Sequence, residues 1–378
     1  MKSLLWRRLA STALLGACLA GRPAAAGEVV LAHVGPFSGP LGVNGLANLE
    51  GAKACIADAN AAGGINGNTL RLVERDDEYK PEKTIALMRA AAQGDKPVAF
   101  INLLGSANAS ALLKDGTLES LKIPVVGVTP GADMLRSPGS PWMFHVHASD
   151  NAQLARIVQH LATIGIQRIA VAYQDIPFGR GGLEFIQGVA RKAGVAIARS
   201  VAVPSAGEDF SAIASDLRAS NAQAYVMILV PNSGAAFVAQ VRGAGDATPV
   251  YGMSYVPVKG LVDKAGAAHA VGIGLAQVTP NTDSSSSALI RQFRSAMERH
   301  APAGTARTQL HLVGYLNCRV LIEGLRHAGG APTPDSLRGA LQKLRVELGG
   351  YLVDFAGGNV GARYVDIGVV TRDGRLQY

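Results

Sequence analysis

Two short segments carry side chains of the kind that recognise small molecules. Gly105-Ser106-Ala107-Asn108 follows a predicted strand and opens a helical stretch. Ser106 and Asn108 could therefore donate to an anionic group beside the unpaired N–H groups of the helix start, although Ser106 could equally cap that helix. Tyr173 to Gly179 ends a second predicted strand, where Phe178 would offer an apolar wall and Tyr173 a ring to stack or a hydroxyl to share, unless both are core. Asp150 stands at the start of another helical stretch, as a charge facing a site or as a cap. His145 and His147 lie two apart on an extended segment and so share a face, as metal ligands can. No acid or thiol accompanies them, and they are expected to line a crossing between lobes.

Catalysis needs a constellation, and the usual ones are missing. The chain has no H-E-x-x-H or C-x-x-C for metal, no G-x-S-x-G elbow, no G-x-x-x-x-G-K phosphate loop and no S-x-x-K pair in a site-like setting. Val271-Gly272-Ile273-Gly274 is a fragment of a dinucleotide motif without its third glycine. The expectation is a binding protein with no cofactor and no metal, rather than an enzyme.

Positioning these loops requires a repeating framework. From Glu28, short β-branched runs near 28–34, 69–76, 97–103 and 123–129 alternate with helical periodicity, the pattern of βαβ units with parallel strands. After the turn-rich Ser137-Pro138-Gly139-Ser140-Pro141 the rhythm restarts: helix 150–164, strand 168–174, helix 180–193, strand 195–203, helix 209–219, strand 223–230, helix 233–243 and strand 249–252. Helices near 286–300, 308–328 and 334–345 precede a glycine-rich hairpin tail. At 378 residues the chain exceeds one simple core and suits two lobes. In parallel α/β sheets ligands collect at the carboxyl ends of strands, which directs attention to the loops 35–44, 105–110, 129–133 and 173–179.

The first 26 residues read as an export leader: Lys2, Arg7 and Arg8, an apolar run from Leu9 to Ala20, and Ala24-Ala25-Ala26 before Gly27. A lipoprotein box at Leu15-Gly16-Ala17-Cys18, lipidated on Cys18, is the alternative. Removing a leader with four basic residues and no acid lowers the formal charge from +8 to +4, which leaves little basis for nucleic-acid binding. No later stretch is long enough for a membrane span. Cys55 and Cys318 lie in apolar helical stretches and are expected as buried free thiols rather than a disulfide.

The series Val34-Gly35-Pro36-Phe37-Ser38-Gly39-Pro40, Gly51-Ala52, Asn60-Ala61-Ala62-Gly63-Gly64-Ile65-Asn66-Gly67, Asp76-Asp77 with Pro81, Gly105-Ser106, Ile123-Pro124-Val125-Val126, Ser149-Asp150 and Phe178-Gly179 resembles, in order and spacing, the branched-chain amino-acid-binding family of ABC transporters, the type I periplasmic solute-binding proteins. The resemblance implies an α/β fold of two Rossmann-like parallel-sheet lobes joined by a three-segment hinge. It places lobe one at 27–147 plus 278–349 and lobe two at 148–277 plus 350–378, with crossings near 145–149, 276–281 and 346–352. It implies a periplasmic receptor that passes a small carboxylate-containing solute to ABC permease subunits in the inner membrane; the alternative is a sensory module acting on a partner protein. Ser106, Gly131 and Ala132 would form a carboxylate cradle, the backbone at Gly131 and Asp133 matching family contacts to the carboxylate, and Asp150 would face a ligand ammonium. The family's second acid falls near Ser254, where this chain has a hydroxyl. Burying an ammonium without that charge is costly, so the expected ligand is a carboxylate whose other end differs, such as an aromatic or aliphatic organic acid. Asn44 stands at the first-loop aromatic position, Val230 or Pro231 at a tyrosine position, and Tyr79 and Gly105 in place of the family's disulfide pair.

Overall fold

The computed structural model describes residues 27–129, 135–136, 138–204 and 210–378. The first lobe begins with β1 (Glu28–Gly35), α1 (Gly42–Ala61), β2 (Thr69–Asp76), α2 (Pro81–Gly94), β3 (Ala99–Ile101), α3 (Ser106–Lys114), α4 (Thr117–Leu121), β4 (Val125–Val126) and β5 (Met143–Phe144). The second contains α5 (Asp150–Thr163), β6 (Arg168–Gln174), α6 (Pro177–Lys192), β7 (Ala196–Val203), α7 (Ser211–Ala219), β8 (Ala224–Ile228), α8 (Pro231–Gly243), β9 (Val250–Gly252), α9 (Val258–Ala265), α10 (Ala267–Ala270) and β10 (Gly274–Gln277). Then follow α11 (Ala288–His300), α12 (Gln309–Ala328), α13 (Pro334–Leu341), β11 (Arg345–Glu347), β12 (Leu352–Asp354), β13 (Asp366–Val370) and β14 (Leu376–Gln377).

The sheets run β2-β1-β3-β4-β5, all parallel, and β14-β13-β10-β9-β8-β6-β7, parallel apart from the β13 and β14 edge. The two parallel sheets are the two-lobed α/β architecture expected from the sequence. In each sheet the order reverses beside the first strand, with β1 between β2 and β3 and β6 between β7 and β8. The crevices at these switch points are where ligands bind in such sheets. The loops holding Ser106 and Phe178 follow β3 and β6 at those points.

The first lobe is closed by helices from the far end of the chain. In α1 and α12, Gly51 and Gly314 let the backbones touch: a Cβ at Gly51 would lie 1.9 Å from the His311 carbonyl oxygen, and one at Gly314 1.9 Å from that of Asn48. Cys55 and Cys318 sit one turn further along the same faces and form a disulfide, with Cα atoms 6.2 Å apart. The expectation of free thiols is corrected by this close approach, which brings residues 263 apart in sequence within bridging reach.

The third crossing also differs from expectation. Tyr351, Val353, Phe355 and Ala362 are buried in the same cluster as Val29, Leu31 and Phe293, whereas Ile367 packs with the second-lobe residues Leu154 and Val171. The chain therefore leaves the first lobe after Ala362. The Gly349-Gly350 turn is the bend of the β11–β12 hairpin and no linker. Near the other crossings, the buried Tyr351 hydroxyl donates to the carbonyls of Val146 and Val278, at 3.1 Å each.

Candidate functional site

A cavity lies where the two switch points face each other. Leu41, Tyr79, Leu104, Gly105 and Ser106 line it from the first lobe, and Asp150, Ile176, Phe178, Val230 and Tyr255 from the second. Leu41, Leu104 and Val230 form one buried cluster with Tyr79 and Ile176 against it, so apolar side chains of both lobes meet across the cleft. Among the described residues Asp150 is the one carboxylate in that lining.

Ser106 is the first residue of α3, but the N-cap position belongs to Gly105, whose φ of 98° suits glycine. The Ser106 side chain is buried and lines the cavity without capping the helix. Tyr79 approaches the same helix start from a left-handed pair, Glu78 and Tyr79, with φ of 53° and 60°. The Asp77 carboxylate accepts from the Tyr79 N–H at 2.9 Å and holds this turn. The Tyr79 ring covers Gly105, where a Cβ would fall 2.2 Å from its Cε2. Its phenol oxygen takes the Ala107 N–H, and burial pushes the phenol up to about 12. One amide of the helix start thus already has a protein partner.

Asp150 opens α5, and Ser149 caps that helix by accepting from the Ala152 N–H at 3.0 Å. Capping does not require Asp150, which accepts instead from the Tyr255 hydroxyl at 2.6 Å. Burial first, then the Asp150 charge, push the Tyr255 phenol well above its ordinary range. Tyr255 also meets Phe178 edge to face, with centroids 5.4 Å apart.

Behind this cavity, towards the hinge, lies a second chamber, and Leu104 and Tyr255 line both. Asn44, Asn48, Thr129, His147, Gln277 and Thr279 present side chains to it. Ser254 is in its wall as well, and its N–H donates to Gln153 Oε1 at 2.9 Å. Burial, then the Arg136 charge, lower His147 to about 3, so its ring is neutral.

The periplasmic binding protein family matches residues 28–374. The chain belongs to that family. The amino acid binding protein of Pseudomonas aeruginosa is 26% identical over 225 residues, spanning 58% of each chain. Leu/Ile/Val-binding protein homolog 7 of Brucella melitensis is 23% identical over 96% of this chain and 94% of its own. The solved extracellular ligand-binding receptor of Verminephrobacter eiseniae superposes with a TM-score of 0.86 at 34% identity, covering 93% of this chain and all of that one.

Within this periplasmic binding protein, the expected site residues divide. Ser106, Asp150 and Phe178 are brought together, and Ser254 stands in the second chamber. Asn108 is not in the cavity lining: it is buried, donating to Asp77 Oδ2 at 3.0 Å and Thr84 Oγ1 at 2.7 Å. Tyr173 likewise packs against the second-lobe core around Val171 and Ile228 rather than lining the cleft. Gly131, Ala132 and Asp133 lie outside the described residues, as do the leader and Cys18. His145 shares its Nδ1 with the Val128 carbonyl at 3.0 Å, and among the described residues no group of three or more His, Cys, Asp or Glu is placed to hold a metal ion. Among them, too, no helix is long and apolar enough to cross a membrane.

Sequence reasoning passed over Leu41, Leu104, Ile176 and Tyr255. Tyr255 had a signal, since it directly follows Ser254 beyond the carboxyl end of β9. The apolar residues had none, because nothing local separates a cleft leucine from a core one.

Proposed function

We propose that the protein is the extracytoplasmic receptor of an ABC importer, closing its two lobes over a small carboxylate-containing solute and presenting it to permease subunits in the inner membrane. The observation that carries this reading is a largely apolar cavity lined in equal parts by two lobes, with Ser106 at the start of α3 among its lining residues. A helix N-terminus and a hydroxyl favour an anion, and the surrounding Leu41, Leu104, Ile176, Phe178 and Val230 favour an apolar body. Names of relatives, which specify amino acids and Leu/Ile/Val, support a carboxylate of that size. The leader-like first 26 residues and the family's periplasmic description support export, and that description, a binding protein, supports a receptor over an enzyme.

Binding in a cleft between lobes shifts an open-closed equilibrium. The test is a thermal-shift screen of amino acids against keto, hydroxy and aromatic acids, since a bound solute raises stability by mass action. Small-angle scattering of the best binder then follows. Compaction on binding is expected, and a tightly bound solute that leaves the scattering profile unchanged would overturn the reading.

A further inference from the structure

The chamber behind the cavity holds an unusual set of orphans. Asn44 Oδ1, Asn48 Oδ1, Gln277 Oε1, Thr129 Oγ1 and Thr279 Oγ1 are buried without hydrogen-bond partners, while the buried His147 ring has the Val313 backbone beside it. The residues Asn44, Asn48, His147, Gln277 and Thr279 are each at most 2% exposed. Buried polar atoms are nearly always paired, so a cluster of them lining one chamber marks a place where a partner group belongs.

The chemistry of that partner follows from what lines the chamber. Among the described residues its wall has no Asp, Glu, Lys or Arg, and the nearby Arg136 guanidinium donates to the backbone carbonyls of His147 and Ala148. An ammonium would find acceptors but no balancing charge, and a carboxylate would meet amide oxygens with no cation; either would lose its hydration uncompensated. A hydrocarbon end would leave every orphan unpaired. Hydroxyl groups satisfy the set, because each donates to an amide oxygen and accepts from a threonine hydroxyl or the neutral His147 ring. Leu104 and Tyr255 line both spaces, so one extended molecule can occupy the two.

We infer that the solute is an acid whose far end, beyond an apolar middle, carries two or more hydroxyl groups seated among Asn44, Gln277, Thr279 and His147. This inference rests on the cleft being the solute site. It excludes a solute with an ammonium at that end.

The experiment is calorimetric titration of the full mature chain with three acids that differ only at the far end: 3-phenylpropionate, 3-(3,4-dihydroxyphenyl)propionate and 3-(4-aminomethylphenyl)propionate. The dihydroxy acid should bind at least about tenfold tighter than the unsubstituted one, since a site built for hydroxyls rejects the analogue lacking them. The aminomethyl acid should bind no tighter than the unsubstituted one. Gln277→Leu, and separately the milder Thr279→Val, should lower the ratio of dihydroxy to unsubstituted affinity towards one, and a ratio held at its wild-type value in both variants counts against the inference. Equal affinities for the first two acids, or tightest binding of the aminomethyl acid, overturn the inference and leave the cleft reading standing. If no acid of any class raises the melting temperature, the cleft reading falls and the inference falls with it.

Discussion

The Tyr255 hydroxyl donates to Asp150 Oδ1 at 2.6 Å, tying the loop after β9 to the first turn of α5 across 105 residues. Tyr255 also reaches back to the first lobe, its hydroxyl 3.4 Å from the Thr129 carbonyl and its own carbonyl 3.5 Å from Asn44 Nδ2. Removing the hydroxyl takes a donor from a buried carboxylate, which costs about 1–3 kcal/mol. Tyr255→Phe should therefore lower stability by that order in urea denaturation and also weaken solute binding. A wild-type denaturation midpoint would show that the bond does not hold the site together.

Ser106→Ala separates a ligand contact from a structural one. This side chain does not cap the helix, because Gly105 occupies the N-cap and no side chain makes a capping bond there. Loss of a structural hydroxyl would lower the melting temperature; loss of a ligand contact would not. The expected result is an unchanged melting temperature with affinity down by about tenfold, or 1.4 kcal/mol. The opposite pattern would move Ser106 out of the site.

The Cys55–Cys318 bond closes a loop of most of the chain, spanning 263 positions. A cross-link over so long a loop restricts the unfolded chain strongly, and its removal should cost roughly 2–5 kcal/mol. Unfolding with and without reductant measures this directly. Gly51→Ala tests the helix contact behind it: with a Cβ placed 1.9 Å from the His311 carbonyl, α1 and α12 must separate and stability should fall even with the bond intact.

Most of the framework was legible from periodicity alone, and the reasons for the exceptions are physical. β2 and β6 occupy the predicted residues, β2 with a partly alternating pattern and β6 as a near-continuous apolar run. β10 was missed because Gly272 and Gly274 break its apolar run, although all four of its residues are buried. The disulfide, and the placement of Asn108 against Asp77 rather than in the cleft, depend on segments far apart in sequence. The expected crossing near 346–352 is instead a hairpin bent at Gly349-Gly350, which returns Val353 and Phe355 to the first-lobe core through contacts distant in sequence.

Acid should destabilise the fold through three buried histidines. Burial lowers His33, His145 and His147 to about 3, with Arg136 adding to the effect on the latter two. In the unfolded chain the same groups titrate near 6.5. Between those values the unfolded state binds more protons, so stability falls as pH drops below 6.5. At pH 5 each histidine costs about 2 kcal/mol relative to neutral pH. Asp77, whose carboxyl burial raises, acts in the opposite sense at lower pH. Denaturation midpoints at pH 7.5 and 5 should differ clearly, and coincident midpoints would contradict neutral buried rings.

Tyr351 offers a way to move the lobes without touching the cleft. Its hydroxyl bridges Val146 and Val278, one carbonyl from each of two crossings, so it fixes their separation in the closed arrangement. In Tyr351→Phe both carbonyls lose that donor inside a buried cluster, and rotation of the crossings towards water becomes the route by which they regain a partner. The open population should rise. Apparent affinity then falls by the fraction of molecules still able to close, although no ligand-lining residue has changed. The ligand-free radius of gyration should increase, and saturating solute should restore the wild-type value, because binding draws the ensemble back. An unaltered scattering profile together with unaltered affinity would mean that packing of Ala148, Val278 and Val313 alone sets the hinge.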